Sequence, residues 1–199
     1  MTHRLLMICA LRSKRPVFPG DNGPDEGLSQ SVRPSPPVLS ADRIWCGPDA
    51  ITRRSAAALG LDAKVRAELS EIDFGSWRGR TLDDVAGADP GGFQSWTTDP
   101  SQAAHGGESI EALLTRAKRW LAECERLPGR TIAVAPASVL KACMLHVFDA
   151  PARSFFCIDV EPLSSVVLSS DGRRWALRVT SEPRSEMSEV GRRQSKLRA

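Results

Sequence analysis

The chain has 199 residues, of which 41% are hydrophobic and 26% are charged. This length suits one globular domain that buries a core without disulfides or metals. We find no run of the roughly 18 apolar residues that a membrane-spanning helix requires, and we expect a cytoplasmic protein. The formal net charge of +3 is mild, so a dominant nucleic-acid or membrane-surface function is not indicated.

The cysteines indicate neither a metal site nor a disulfide framework. Their number is odd, five, they are widely spaced, and most lie inside apolar stretches, whereas zinc sites and secreted frameworks use close pairs. We interpret all five as reduced core thiols. The sequence predicts no metal and no cofactor.

The first half of the chain contains one clear β-turn-α unit. Residues 4–9 form a short apolar run that predicts a strand buried on both faces of a sheet, and the Pro/Gly/Asp-rich stretch 16–25 predicts a loop. Any helix within residues 26–32 must be short. Residues 42–46 predict a second strand, and alanine and leucine at helical spacing predict a helix over 50–59 that Gly60 ends.

The second half predicts two helices, one buried strand and a hairpin. The apolar spacing of 109–126 predicts a helix, 130–135 a buried strand, and 139–148 a further apolar helix. Asp171-Gly172 lies between two short strand patterns, 164–169 and 175–179, and predicts a β-hairpin. We therefore expect an α/β domain over residues 1–180, followed by a flexible basic tail over 181–199.

Three stretches, taken in order, resemble one known family. Residues 68–81 are similar to Leu-x-Glu-x-x-Phe-Gly-x-Trp-x-Gly-x-Thr, and His-Gly-Gly-Glu-Ser at 105–109 is similar to a Gly-Glu-Ser entry into a long helix. Residues 150–164 resemble the segment before the last strands in small bacterial members. The family is the histidine phosphatase, or phosphoglycerate mutase-like, superfamily. This resemblance implies a three-layer α/β/α sandwich whose sheet is mostly parallel with an antiparallel edge.

The resemblance also implies a phosphoryl-transfer site, but this sequence lacks most of the residues that form it. The family carries Arg-His-Gly-x-Thr after strand one, with the histidine as nucleophile, a second histidine after a later strand, and arginines that bind the phosphate. Residues 9–13 read Cys-Ala-Leu-Arg-Ser, so that Ala10 replaces the nucleophile, and Pro136 stands in the place of the second histidine. Ile51 takes the place of an arginine. Only Glu71 matches the family's acid/base position.

We therefore interpret the chain as a catalytically inactive histidine phosphatase-like protein, a pseudoenzyme. Its former phosphate pocket is expected to bind a small anionic ligand or a partner protein, with no membrane involved. His105 is expected to border the mouth of this pocket. The predicted pocket positions are Cys9, Ala10, Arg12, Ser13, Ile51, Arg54, Glu71, His105, Pro136 and Ala137.

Other functions stay open at this point. An enzyme with altered chemistry would use Glu71 as a base or Cys9 as a nucleophile; a thiolate beside Arg12 would favour it, and a Cys9 packed among apolar neighbours would favour inactivity. Cys9 and Arg15 also have the Cys-x5-Arg spacing of cysteine-dependent phosphatases, without the glycines that their loop requires. A third alternative is a surface-binding module that acts through the basic tail. The sequence predicts no oligomeric state.

Overall fold

The protein was analysed as a computed structural model, which describes residues 2–13, 17–20 and 41–178. Six strands form a single sheet in the order β3-β2-β4-β1-β5-β6. The strands are β1 (His3–Cys9), β2 (Arg43–Cys46), β3 (Lys64–Val65), β4 (Gly129–Ala135), β5 (Ser165–Ser170) and β6 (Trp175–Arg178).

The sheet is mixed. Strands β3, β2, β4 and β1 run parallel to one another, whereas β5 pairs antiparallel with both β1 and β6. The β5–β6 pair is the predicted hairpin, and Gly172 in its turn has φ of 86°, a conformation that glycine adopts without strain. The parallel sheet with an antiparallel edge is confirmed.

Five helices accompany the strands in the described part of the chain. They are α1 (Ala50–Ala58), α2 (Leu82–Ala88), α3 (Pro90–Thr98), α4 (Ile110–Glu125) and α5 (Ala137–Val147). The predicted starts and ends of α1 and α4 are correct to within one residue. Helix α5 begins two residues earlier than predicted, because Pro136 serves as its N-cap position.

Both faces of the sheet are buried. Leu5, Met7 and Cys9 of β1 pack in a large core with α4 and α5, while Ile8 and Ala10 pack in a smaller core with residues of α1. Successive side chains of a strand point to opposite faces, so an apolar run is what a strand covered on both sides requires. The result is the expected three-layer α/β/α arrangement.

Helices α2 and α3 and the short strand β3 were not predicted. Helix α2 begins with a capping box in which the Thr81 hydroxyl accepts from the Asp84 amide and the Asp84 carboxylate accepts from the Thr81 amide. Asp89 caps α3 through the Gly92 amide, with Pro90 in the first turn. Asp-Pro-Gly-Gly is typical of a turn in sequence, but here it begins a helix.

Four of the five cysteines are buried, and Cys157 is exposed, so the prediction that every cysteine is a core thiol is wrong for Cys157. No helix in the described ranges combines the length and the apolar character needed to cross a bilayer. The predicted helix within 26–32 and the tail 181–199 lie outside the described residues.

Candidate functional site

A cleft of about 470 Å³ opens at the carboxyl ends of the parallel strands. The sheet register sets its floor, because Cys9 at the end of β1 pairs with Ala135 at the end of β4. The Ala10 amide continues this pairing by donating to the Ala135 carbonyl at 2.8 Å. Ala10 and Pro136 therefore leave neighbouring strand ends side by side, at the edge of an α/β sheet where ligands commonly bind.

Nine of the ten predicted pocket positions line this cleft. They are Cys9, Ala10, Arg12, Ser13, Ile51, Arg54, Glu71, Pro136 and Ala137. Helix α1 brings Ile51 and Arg54 from one side, and the start of α5 brings Ala137 from the other. The remaining position, His105, does not belong to this group.

His105 is packed in an aromatic cluster instead of at the pocket mouth. Its ring is 2% exposed and makes edge contacts with Phe74, Trp77 and Trp96 at centroid distances of 5.7, 5.0 and 6.5 Å. Its Nδ1 accepts from the Gly107 amide at 3.1 Å. Burial lowers the pKa of His105, against a smaller opposing effect of Asp73. The expectation that His105 borders the pocket mouth is wrong, because three aromatic rings enclose it.

The chain's other two histidines also lie away from the cleft. His3 begins β1, opposite Gly129, at the far end of the strand from Ala10, and its Nδ1 contacts the Leu127 carbonyl. His146 lies in the last turn of α5, whereas the cleft adjoins the first turn. All three histidines of the chain are among the described residues, and each lies outside the cleft lining.

Glu71 is held in the cleft by several hydrogen bonds. Its Oε1 accepts hydrogen bonds from the Ser138 hydroxyl and, at 2.8 Å, from the Ile72 amide. Its backbone amide donates to Oδ2 of Asp49 at 3.0 Å. Burial, with a smaller contribution from Asp49, raises the pKa of Glu71 to about 7, against the opposing effects of the two hydrogen bonds and of Arg116. Near neutral pH this carboxyl therefore exchanges its proton readily.

Cys9 is a neutral thiol at the bottom of the cleft. Its side chain is 2% exposed among apolar neighbours. Burial first, and Glu71 second, raise the pKa of Cys9 to about 11, and the opposing effect of Arg12 is smaller. A thiol protonated at neutral pH is a poor nucleophile.

The remaining charges around the cleft are of both signs. Arg12 is exposed at the rim, and Arg54 also lines the cleft. Arg78 and Asp73 form an exposed ion pair at 2.6 Å, and pairs of this kind contribute little to stability. No group of three or more metal-ligating side chains occurs within the described ranges.

Comparison with known proteins identifies the family. A profile of the histidine phosphatase superfamily (branch 1) matches residues 40–183. The chain belongs to this superfamily. The matched range includes the positions of Glu71 and Pro136 and begins after β1.

Solved structures of similar fold and one relative in sequence accompany this match. An Escherichia coli structure with the provisional name alpha-ribazole-5'-P phosphatase superimposes with a TM-score of 0.76 and 19% identity, over 90% of this chain and 96% of that one. A mycobacterial glucosyl-3-phosphoglycerate phosphatase gives 0.70 and 22%, over 88% and 97%. A bifunctional protein of Mycobacterium tuberculosis is 42% identical over 65 residues, 33% of this chain. The chain matches 18% of that relative's length.

The motif segments that resemble the superfamily are linked to one another by hydrogen bonds and an ion pair. Glu108 of the Gly-Glu-Ser motif forms a two-pronged ion pair with Arg116, at 2.9 and 2.7 Å. The Nη1 of Arg116 also donates to the carbonyls of Glu68 and Ser70, at 2.8 and 3.0 Å. Arg116 thus fixes the backbone immediately before Glu71, and Glu108 in turn fixes Arg116.

The glycines of the two motifs let their loops approach closely. The Glu108 amide donates to the Asp73 carbonyl at 2.8 Å, and the Ser76 amide donates to the His105 carbonyl at 2.9 Å. A Cβ on Gly107 would lie 2.0 Å from the Asp73 carbonyl oxygen, far inside van der Waals contact. Gly107 is therefore required by packing.

Four residues of the site region had escaped the sequence prediction: Asp49, Arg78, Arg116 and Ser138. Ser138 carried a usable signal, since it closely follows Pro136, the position that the resemblance aligns with the second histidine. Arg116 follows Glu108 by eight residues, a spacing that no helical i,i+4 rule connects.

Proposed function

We propose that this protein is a histidine phosphatase superfamily member without phosphatase activity, and that its cleft binds a small anionic ligand. One observation carries the proposal: Ala10 and Pro136, which the family resemblance aligns with the two histidines, both line the cleft at neighbouring strand ends. Alanine has no nucleophile to attack phosphorus, and proline has neither a donor for transferring charge nor a backbone N–H.

The groups left in the cleft do not replace the missing chemistry. Phosphohistidine formation needs a neutral imidazole beside the phosphate, and the chain's three histidines lie elsewhere. Glu71 supplies a proton acceptor or donor but no phosphorus nucleophile, and the Cys9 thiol stays protonated. General acid/base catalysis alone contributes only about 10²–10⁴-fold to a rate.

A binding function is supported by what surrounds the cleft. Arg12 and Arg54 offer positive charge, and α1 and α5 both begin at the cleft, which adds a weak positive potential from their dipoles. The Escherichia coli and mycobacterial proteins of similar fold are named for phosphorylated compounds. We propose an anion as the occupant, with a protein partner as the alternative, and a reducing cytoplasmic location in keeping with five free thiols.

The direct test is turnover of p-nitrophenyl phosphate by the purified full chain. We expect no release above the buffer blank and no phosphoenzyme trapped by acid quenching. An Ala10→His/Pro136→His variant serves as the matched comparison, and a melting curve confirms that it folds. Wild-type turnover that Glu71→Gln abolishes, or a trapped phosphoenzyme, would overturn the proposal.

A second candidate function is an enzyme that uses Glu71 in different chemistry. It is favoured by one observation, the Glu71 carboxyl with a pKa of about 7 in a cleft, because general bases work best with a pKa near ambient pH. The state of Cys9 does not favour it. The test is hydrolysis of p-nitrophenyl acetate: a rate that Glu71→Gln removes and Cys9→Ser leaves unchanged would support this candidate, and equal rates for wild type and Glu71→Gln would reject it.

A further inference from the structure

The part of the cleft where the superfamily would hold its phosphate is apolar. We call the side chains of Cys9, Ala10, Ile51 and Pro136 the seat; all four line the cleft. Together they carry no positive charge, and their one polar hydrogen belongs to the Cys9 thiol, whose sulfur already contacts the Ala10 carbonyl at 3.4 Å. A thiol is a weak donor.

Three backbone amides on the β1 side of the seat are also occupied. The amide of Cys9 donates to the Ser164 carbonyl at 2.9 Å, that of Ala10 to Ala135 at 2.8 Å, and that of Leu11 to the Ser55 hydroxyl at 2.9 Å. Pro136 has no amide hydrogen. The β1 side of the seat and Pro136 therefore offer a phosphate no free donor in exchange for the water that it would lose.

The same composition favours contact with an apolar group. The cleft walls add Val17, Ile72, Val160 and Pro162 to the seat. Burial of hydrocarbon favours binding in proportion to the apolar surface removed from water. The positive charges of Arg12 and Arg54 lie in the same cleft but outside the seat.

We infer that the cleft takes an amphipathic anion, whose alkyl or aryl part lies on the seat and whose charged group lies toward Arg12 and Arg54. This inference rests on the proposed binding function and specifies the class of ligand. The cleft volume of about 470 Å³ falls within the range of about 300–1,000 Å³ typical of small-molecule sites. The seat therefore selects for the apolar part of the ligand, and the arginines select for the charged group.

The experiment compares methyl phosphate with hexyl phosphate by calorimetric titration of the full chain. Both carry the same head group, so their difference isolates the alkyl chain. We expect hexyl phosphate to bind at least tenfold more tightly than methyl phosphate. Ile51→Asn should reduce that ratio at least threefold, and Ile51→Arg should tighten methyl phosphate. Ala57→Arg adds the same charge on the exposed side of α1 and should change neither affinity.

The outcomes separate the two proposals. If methyl and hexyl phosphate bind equally well, the inference is wrong and the anion-binding function stands. If neither binds at millimolar concentration, both are wrong. Release of inorganic phosphate from either compound contradicts the catalytic inactivity, whatever the affinities are. Arg12→Ala should weaken both ligands by a similar factor, and an effect confined to hexyl phosphate would contradict the assigned orientation.

Discussion

The Ser138 hydroxyl donates a hydrogen bond to Oε1 of Glu71, 67 residues earlier in the chain. The same oxygen accepts from the Ile72 amide, so both contacts converge on one atom of a carboxyl that burial keeps partly protonated. The start of α5 is thereby joined to the segment that follows the Arg116 contacts. Glu71 consequently affects stability as well as the chemistry of the cleft.

Glu71→Gln should stabilise the protein at alkaline pH. Burial raises the pKa of Glu71 from its ordinary 4.5 to about 7, so the folded state binds its proton more tightly than the unfolded state does. In the wild-type protein, the stability that proton binding at Glu71 contributes is fully present below pH 4.5 and is lost as pH rises through 7. Glutamine keeps the acceptor oxygen without the charge. We expect the variant to gain about 3 kcal/mol at pH 8 and much less at pH 5, measured by urea unfolding.

The exposed Glu161 provides the control for this substitution. Glu161→Gln should change the free energy of unfolding by less than about 0.5 kcal/mol at either pH. A Glu71→Gln effect of the same size at pH 5 and pH 8 would contradict the raised pKa, because only a titrating carboxyl makes the difference depend on pH.

Arg116→Lys should destabilise the protein even though it preserves the charge. Lysine cannot make the two-pronged contact with Glu108 and also reach the carbonyls of Glu68 and Ser70. The Arg116 and Glu108 side chains are 21% and 18% exposed, so the loss is partly screened, and we expect about 1–3 kcal/mol by urea unfolding. Arg119→Lys, exposed on the same helix, should be nearly neutral. Equal losses for the two variants would exclude the bracing role of Arg116.

Gly107→Ala should destabilise through a clash between two loops. The new Cβ would lie 2.0 Å from the Asp73 carbonyl oxygen, and backbone on both sides must shift to relieve it. Overpacking of this kind costs about 1–3 kcal/mol. Gly91→Ala in α3 meets no atom within 4 Å and should be neutral or slightly stabilising, because alanine favours the helix. Thermal melts of the two variants make the comparison, and a Gly107→Ala melt equal to wild type would refute the close approach.

The sequence predicted the central sheet because its strands are covered on both faces and so appear as apolar runs. Helix α3 was not predicted, because Pro90, Gly91 and Gly92 favour a turn locally. The cap by Asp89 and the packing of Trp96 in the core stabilise a helix instead. Tertiary contacts of this kind cannot be read from local propensity. The family membership, by contrast, is indicated by segments with distinctive residues.

The cleft lining was predicted through alignment to the family motifs, which fixed Ala10, Ile51, Glu71 and Pro136 at neighbouring loop ends. His105 was misplaced because a Gly-Gly turn does not reveal which way its first side chain points. The contact of Ser138 with Glu71 and those of Arg116 with the carbonyls of Glu68 and Ser70 could not be predicted. Each joins segments at least 46 residues apart and depends on how the loops pack.

Thiol modification should separate Cys157 from the other four cysteines. The four other cysteines are buried, and burial raises the pKa of each above the ordinary value: Cys9, Cys46, Cys124 and Cys143. Their thiolate fraction is therefore small at neutral pH, and the reagent reaches them poorly. We expect iodoacetamide at pH 7.5 to label Cys157 alone in the folded protein, all five thiols after denaturation, and none quickly in a Cys157→Ser variant, as read by peptide mass spectrometry. Rapid labelling of Cys9 in that variant would contradict the neutral, enclosed thiol and revive Cys9 as a nucleophile.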